Sequence, residues 1–316
     1  MFDSIAVFTH RGLHVGKGEL GMSKAVQMSM IVPGILLFVF IFAMMPIVLQ
    51  AGPIDGSLHF SWGQGFQSLK EYIAGVGSGD SFRFYSGKNE YLFWERIGYY
   101  FPTSFYYVVT TGILSVTIGI FIGIYFAVSG ARWVRSIVDL VGALPEFVVI
   151  LLLQFVIVLI AKQTGVVVFK VGTLTSEDPA IVLPLIAMVV MPTNYMIRNV
   201  ALQMKLTLKE EYIGNAKARG LGKVYIIFYH ALPNVLPYMK SDLHKLMGIV
   251  MGNLFIMEYL FNNKGVSMLI FANAFVGRSY QYDIVVNGLL AFLVLYSIGY
   301  TILRAYLYMI EKVFLR

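Results

Sequence analysis

Two carboxylates stand inside long apolar stretches of this 316-residue chain: Glu146, within Pro145-Glu146-Phe147, and Glu258, near the end of a run that begins at Leu246. A charged side chain at the centre of a membrane helix costs roughly 2.5–3.5 kcal/mol on insertion scales. Such a residue therefore marks a water-lined path, a proton relay or a buried partner. Glu146 reads equally well as a path-lining group and as a carboxylate satisfied by a neighbouring amide or hydroxyl. Asn194, in a stretch marked by Pro184 and Pro192, and Asn253, beside Gly252, are the other polar candidates for a path.

Other chemistries find little support. His10 and His14 are spaced to share one helix face and hold a metal, but Gly12 lies between them and no third ligand follows; a solvated tail is the preferred reading. The chain has no cysteine, which excludes disulfides and thiolate sites. A phosphate-binding G-x-x-x-x-G-K-[ST] loop is absent, because Gly222-Lys223 is followed by valine and lacks the upstream glycine. No metalloprotease motif, nucleophile elbow or paired-carboxylate site appears, so the chain is not expected to be an enzyme or to bind a cofactor or metal.

The elements that must hold these groups follow from composition. Hydrophobic residues make up 58% of the chain and charged residues only 13%, half the usual share of a soluble domain, about 25%. Mean hydropathy is +0.74. The fold class expected is an all-α polytopic membrane protein. A helix needs roughly 20 apolar residues to span the hydrocarbon, and six segments qualify, at about 25–50, 97–130, 134–161, 179–197, 246–261 and 284–303. The fifth is the weakest, being short and interrupted by Glu258. The expected organisation is a tail over 1–24, a first span over 25–50, an external segment over 51–96 and a core of five further spans over 97–312.

Net charge is +7, but no lysine/arginine block alternates with stacking aromatics, so nucleic acid is not an expected partner. Two thirds of the chain's lysines and arginines fall on the side that carries both termini and residues 198–245. Positive residues collect on the cytoplasmic side, which places the termini inside. The external segment is long for a structureless loop, and 66–74 has helical spacing. A docking role and a plain lid are equally open for it, and 91–100 is expected along the membrane surface. Gly119-x-x-x-Gly123 predicts close approach of a second helix.

Residues 207–237 form a basic island between spans, and it must face water. Thr207-x-x-Glu210 has the form of a capping box, predicting a helix over 208–219 with Leu208, Tyr212, Ala216 and Gly220 on one face. Gly220 should end it in a left-handed cap. A second helix is expected from after Gly222 to Leu232, with Pro233 and Pro237 breaking the chain. The small residues Gly214, Ala216 and Ala218 let this region press into a partner's groove. A loop that only attracts anionic lipid head groups would need less structure, so docking is preferred.

Ala216, Gly220, Leu232 and Pro233 lie at the spacing of the EAA loop of ABC importer permeases. The fuller string, Tyr212-x-x-x-Ala216-x-Ala218-Arg219-Gly220-Leu221 followed by His230-Ala231-x-x-Asn234, resembles the dipeptide/oligopeptide/nickel permease family. Glu258-x-x-Phe261 with Gly265, and Val285-Val286-x-Gly288, resemble its first-subunit type. The resemblance covers roughly 79–312. Gly214 stands where the glutamate that names the motif is usual, with Glu211 three positions earlier, and the Pro-Gly-Asp-Pro that often follows the first span is missing.

The resemblance implies a type I ABC importer permease fold with six transmembrane helices and a cytoplasmic coupling helix within 205–240. It implies that two homologous permease chains form the pore in the cytoplasmic membrane of a bacterium. Two cytoplasmic ATPases carrying ATP and Mg would drive it, and an extracytoplasmic binding protein would deliver substrate, with peptide preferred. The residues implied to meet the ATPase are Glu211, Tyr212, Ala216, Ala218, Arg219, Gly220, Leu221, Leu232 and Pro233. The rival reading is an ATP-independent secondary transporter with Glu146 and Glu258 as coupling carboxylates, though no internal repeat of the spans supports it.

Overall fold

The computed structural model describes residues 24–51, 58–130, 132–175, 178–277 and 279–314; His10 and His14 lie outside them. Two units divide the chain, one ending at Phe42 and one running Ala43–Arg316. Helix α1 (Lys24–Val48) leads into a short hairpin of β1 (Leu49–Ala51) and β2 (Leu58–Phe60). The external segment then folds as α2 (Trp62–Ser78), a 3-10 turn and a hairpin of β3 (Arg83–Ser86) and β4 (Asn89–Leu92). The 66–74 helix expected there is real and longer. Residues 93–100 open the 37-residue helix α3 (Phe93–Ser129).

After α3 come α4 (Arg132–Ala143), α5 (Glu146–Thr164) and α6 (Val182–Thr207), then α7 (Glu211–Ala218) and α8 (Lys223–Tyr225). A π-turn over Ile226–Ala231 continues into α9 (Leu232–Ser241) and α10 (Leu243–Leu260). The chain closes with α11 (Val266–Asn273), a hairpin of β5 (Phe275–Val276) and β6 (Ser279–Tyr280), and α12 (Tyr282–Phe314).

Among the described residues, five helices are long and apolar enough to cross a membrane: Ile31–Val48 of α1, and α3, α5, α6 and α12. The remaining expected span, α10, carries His244, Lys245, Asn253 and Glu258. It can do so because it sits inside the bundle against α3, α5, α6 and α12, with Leu246, Met247, Val250, Leu254 and Met257 fully buried. A helix surrounded by protein can hold polar groups that a lipid-facing one cannot. By contrast, α5 leaves Leu151, Leu152, Phe155 and Val158 exposed, as a helix facing hydrocarbon does.

The tightest packing is between α3 and α6, which run in the same direction. A Cβ on Gly119 would stand 2.4 Å from the Met196 side chain, and one on Gly123 would stand 2.7 Å from Val200. The two glycines thus let the helices touch almost backbone to backbone, as their spacing predicts. The span expected over 134–161 is split: Pro145 disfavours helical backbone at Leu144, so α4 ends and α5 starts at Glu146. Nineteen residues already cross roughly 30 Å, so Glu146 stands at an end of the span and not at its middle.

The segment from α2 to β4 is locked to the start of α12. Tyr72 Oη donates to Asn287 Oδ1 at 2.8 Å, Asn287 Nδ2 donates to the Ser81 carbonyl at 2.7 Å, and Ser81 Oγ donates back to the Tyr72 carbonyl at 2.6 Å. Burial, with the Asp283 carboxylate adding to it, pushes the Tyr72 hydroxyl up to about 12. It therefore stays a hydrogen-bond donor throughout the physiological range. Gln281 pairs with both backbone groups of Tyr85, tying the β3–β4 hairpin to the same place.

Candidate functional site

The basic island is built on the end of α6. That helix runs through Thr207, whose backbone is therefore helical and does not form a cap. The predicted capping box is absent: Glu210 occupies the N-cap position of α7 without a side-chain cap bond. The first helix of the island is accordingly shorter than expected, Glu211–Ala218, and starts three residues later than 208. Glu211, in its first turn, stands where a negative charge complements the helix dipole.

The other end of α7 follows the prediction closely. Gly220 has φ +78°, the Leu221 amide donates to the Ala216 carbonyl at 3.3 Å, and the Gly220 amide donates to Lys217 at 2.9 Å. These two bonds are the Schellman closure, which satisfies carbonyls the helix leaves open. The buried underside of α7 is Ile213 and Ala216, one turn apart. Tyr212, assigned to that face by the 208–219 register, is exposed instead. Partial covering of its hydroxyl and the neighbouring Glu210 carboxylate raise the hydroxyl pKa.

The structure thus separates the nine residues that the resemblance implied. Glu211, Tyr212, Ala218, Arg219 and Gly220 are exposed together with Gly214 and Asn215, while Ala216 and Leu232 are buried and Leu221 and Pro233 are half-buried. Ile213, fully buried, is the anchor that sequence reasoning missed. Its apolar type beside Ala216 at helical spacing is the signal that would have found it.

The prolines do not break the chain as expected. Helical backbone continues from Lys223 to Ser241 through both Pro233 and Pro237. A proline lacks a donor and its ring clashes with the carbonyl four residues back. Immediately upstream, the Ile226–Ala231 stretch widens to π geometry, the Leu232 amide reaching the Ile227 carbonyl five residues back. Asn234 Nδ2 donates to the His230 carbonyl at 2.7 Å. The helix is interrupted at Asp242, which ends α9 and begins α10.

Asp242 is a second residue that sequence reasoning missed. Its carboxylate accepts from Asn199 Nδ2 at 2.6 Å and from Tyr195 Oη at 3.2 Å, both on α6, and Lys245 lies at 3.8 Å. On the other side of α9, Lys240 pairs with Glu311 of α12. The two limbs of the island, α6 leading in and α9 leading out, are therefore fastened to each other and to the last helix. Helix α7 lies between these two limbs along the chain.

The four polar candidates for a path are not brought together; no hydrogen bond among the described residues joins any two of them. Glu146 is half-buried at the start of α5. Asn194 lies against α4, 2.9 Å from where a Cβ on Gly142 would stand. Asn253 is buried with its amide nitrogen unpartnered, as are the hydroxyls of Thr111 and Ser115 on α3 and Thr193 on α6. Glu258 is fully buried. It accepts from Ser104 Oγ of α3 and from the Ser267 amide at 2.8 Å, in the first turn of α11. This carboxylate joins α3, α10 and α11.

Residues 115–314 match the family described as binding-protein-dependent transport system inner membrane component. The chain is 29% identical over 172 residues to the dipeptide transport system permease protein DppB of Bacillus subtilis, covering 52% of this chain and 53% of that protein. It is 24% identical over 179 residues to the metal-staphylopine import system permease protein CntB of Staphylococcus aureus, covering 55% of each. The chain spans about half the length of the curated relatives it matches.

Proposed function

Because this chain belongs to the binding-protein-dependent transport system inner membrane component family, with the type I ABC importer permease fold, we propose that it is the permease subunit of an ATP-driven importer of peptides. It forms the pore with a second homologous permease chain, in the cytoplasmic membrane of a bacterium, with both termini inside. Two cytoplasmic ATPases bind and hydrolyse ATP with Mg, and an extracytoplasmic binding protein delivers the solute. The chain itself catalyses nothing.

The observation that carries this reading is the mount of α7. A short helix closed at Gly220 presents Glu211, Tyr212, Gly214 and Asn215 outward, and the limb that follows it is tied through Asp242 to α6 and through Lys240 to α12. Closure of the ATPases on ATP displaces α7, and the bundle rocks between inward- and outward-facing forms, a domain motion biased by a ligand. The choice of peptide follows the relative named for dipeptide transport; a metal–chelate solute, as in the second relative's name, is the alternative cargo.

The test is uptake into proteoliposomes holding the full transporter. Uptake of labelled peptide that requires both the binding protein and ATP, and that ceases when either is left out, is the expected result. Uptake by this chain alone, driven by an ion gradient, would instead favour the secondary-transporter reading with Glu146 and Glu258 as the coupling groups.

A further inference from the structure

A cleft of about 380 Å³ opens between the end of α3 and the island. Its walls are apolar, with Ala127 from α3, Leu208 from the α6–α7 link, Leu221 from the Schellman closure and Ile227 from the π-turn. Two lysines, Lys217 and Lys223, complete the lining. Both are exposed, and no ion pair among the described residues engages either one. A third cation is close by, Lys205 Nζ standing 4.6 Å from the centre of the Phe126 ring, next to Ala127.

We propose that this cleft is a binding site for an anionic phospholipid of the surrounding bilayer. Position is the first argument. Helices α3 and α6 run side by side through Gly119–Met196 and Gly123–Val200 and end together at Ser129 and Thr207. Both helices are long and apolar enough to cross a membrane, and Lys205 closes the apolar run of α6, which places their common end on the head-group side. Chemistry is the second argument. A soluble anion would use the lysines and waste the apolar walls, and a neutral lipid would do the reverse. An anionic phospholipid satisfies both, its phosphate against Lys217 and Lys223 and its first methylenes along Ala127, Leu221 and Ile227. Basic pockets at the membrane ends of helices take lipid head groups on these grounds. The lipid would brace α7 against the end of α3.

The experiment is a phosphatidylglycerol titration of the full chain purified in detergent, with bound lipid counted by native mass spectrometry. Each lysine near an anionic surface is worth about fivefold in affinity, so K217Q/K223Q should weaken retention about twenty-fivefold. R304Q/K312Q, which removes the same charge elsewhere, should leave it near the parent value. Ala127→Trp fills the cleft without changing charge and should also expel the lipid. Unchanged retention in K217Q/K223Q overturns the proposal. So does a loss in K217Q/K223Q with full retention in Ala127→Trp, because the lipid is then held by diffuse surface charge and not by the cleft. The readout involves no transport, so its failure leaves the importer reading untouched.

Discussion

Replacing Gly220 with valine is expected to leave the chain inserted at parental levels and to lower peptide uptake by the assembled transporter tenfold or more, while ATP hydrolysis continues. The cause is backbone conformation. Gly220 sits at φ +78°, where a β-branched residue is a true outlier, and holding a strained backbone of this kind costs of order 1–3 kcal/mol. A helix of eight residues cannot resist that penalty, since isolated helices below about 12–15 residues are marginal. The Leu221–Ala216 and Gly220–Lys217 bonds give way, and α7 frays from its closed end. Space is not the problem, because a Cβ at position 220 would meet nothing within 4 Å. Gly220→Asn, which tolerates the left-handed region, should therefore retain most uptake. Equal losses in the valine and asparagine variants would point to a steric or sequence-specific role and against this account of the cap.

The second large effect is expected at Glu258. Glu258→Ala removes the acceptor for Ser104 Oγ and for the Ser267 amide, and leaves a void where Gly265 now packs against the carboxylate. A buried donor left without a partner costs about 1–3 kcal/mol, and two are stranded here. The yield of folded protein and its thermal midpoint in detergent should both drop sharply. Gly265→Ala should do likewise, because its Cβ would lie 2.0 Å from Glu258 Oε1. Glu258→Gln keeps an acceptor and the shape, so stability and uptake should survive in large part. Uptake lost in Glu258→Gln at parental stability would make the residue a transport group and not a brace.

Much of the arrangement was legible because it rests on local chemistry. Gly220 after a run of small residues predicts the left-handed cap, and Gly119-x-x-x-Gly123 predicts the closest helix contact. Glu258 is conspicuous simply as a charge in an apolar run. The features that were not legible depend on partners distant in the chain. Thr207 carries a capping signature, but tertiary packing draws α6 through it and the signature is overridden. Pro233 and Pro237 look like breakers, yet a π-turn lets a helix continue past them. Asp242 resembles any loop acid until Tyr195 and Asn199 of α6 are placed beside it. The split at Pro145 was available from the proline alone; the long apolar run around it masked the signal.

The central claim is that the outward face of α7 is where another protein transmits its motion. Gly214 lies on that exposed face, and a Cβ added there meets nothing within 4 Å. The chain has no cysteine, so Gly214→Cys introduces its single thiol without strain. The measurement is the rate at which a membrane-impermeant maleimide modifies that thiol in inside-out vesicles, with and without the ATPase subunits. The account predicts rapid labelling of the chain alone and labelling at least tenfold slower in the assembled transporter. Equal rates in both, with the ATPases demonstrably bound, would contradict it.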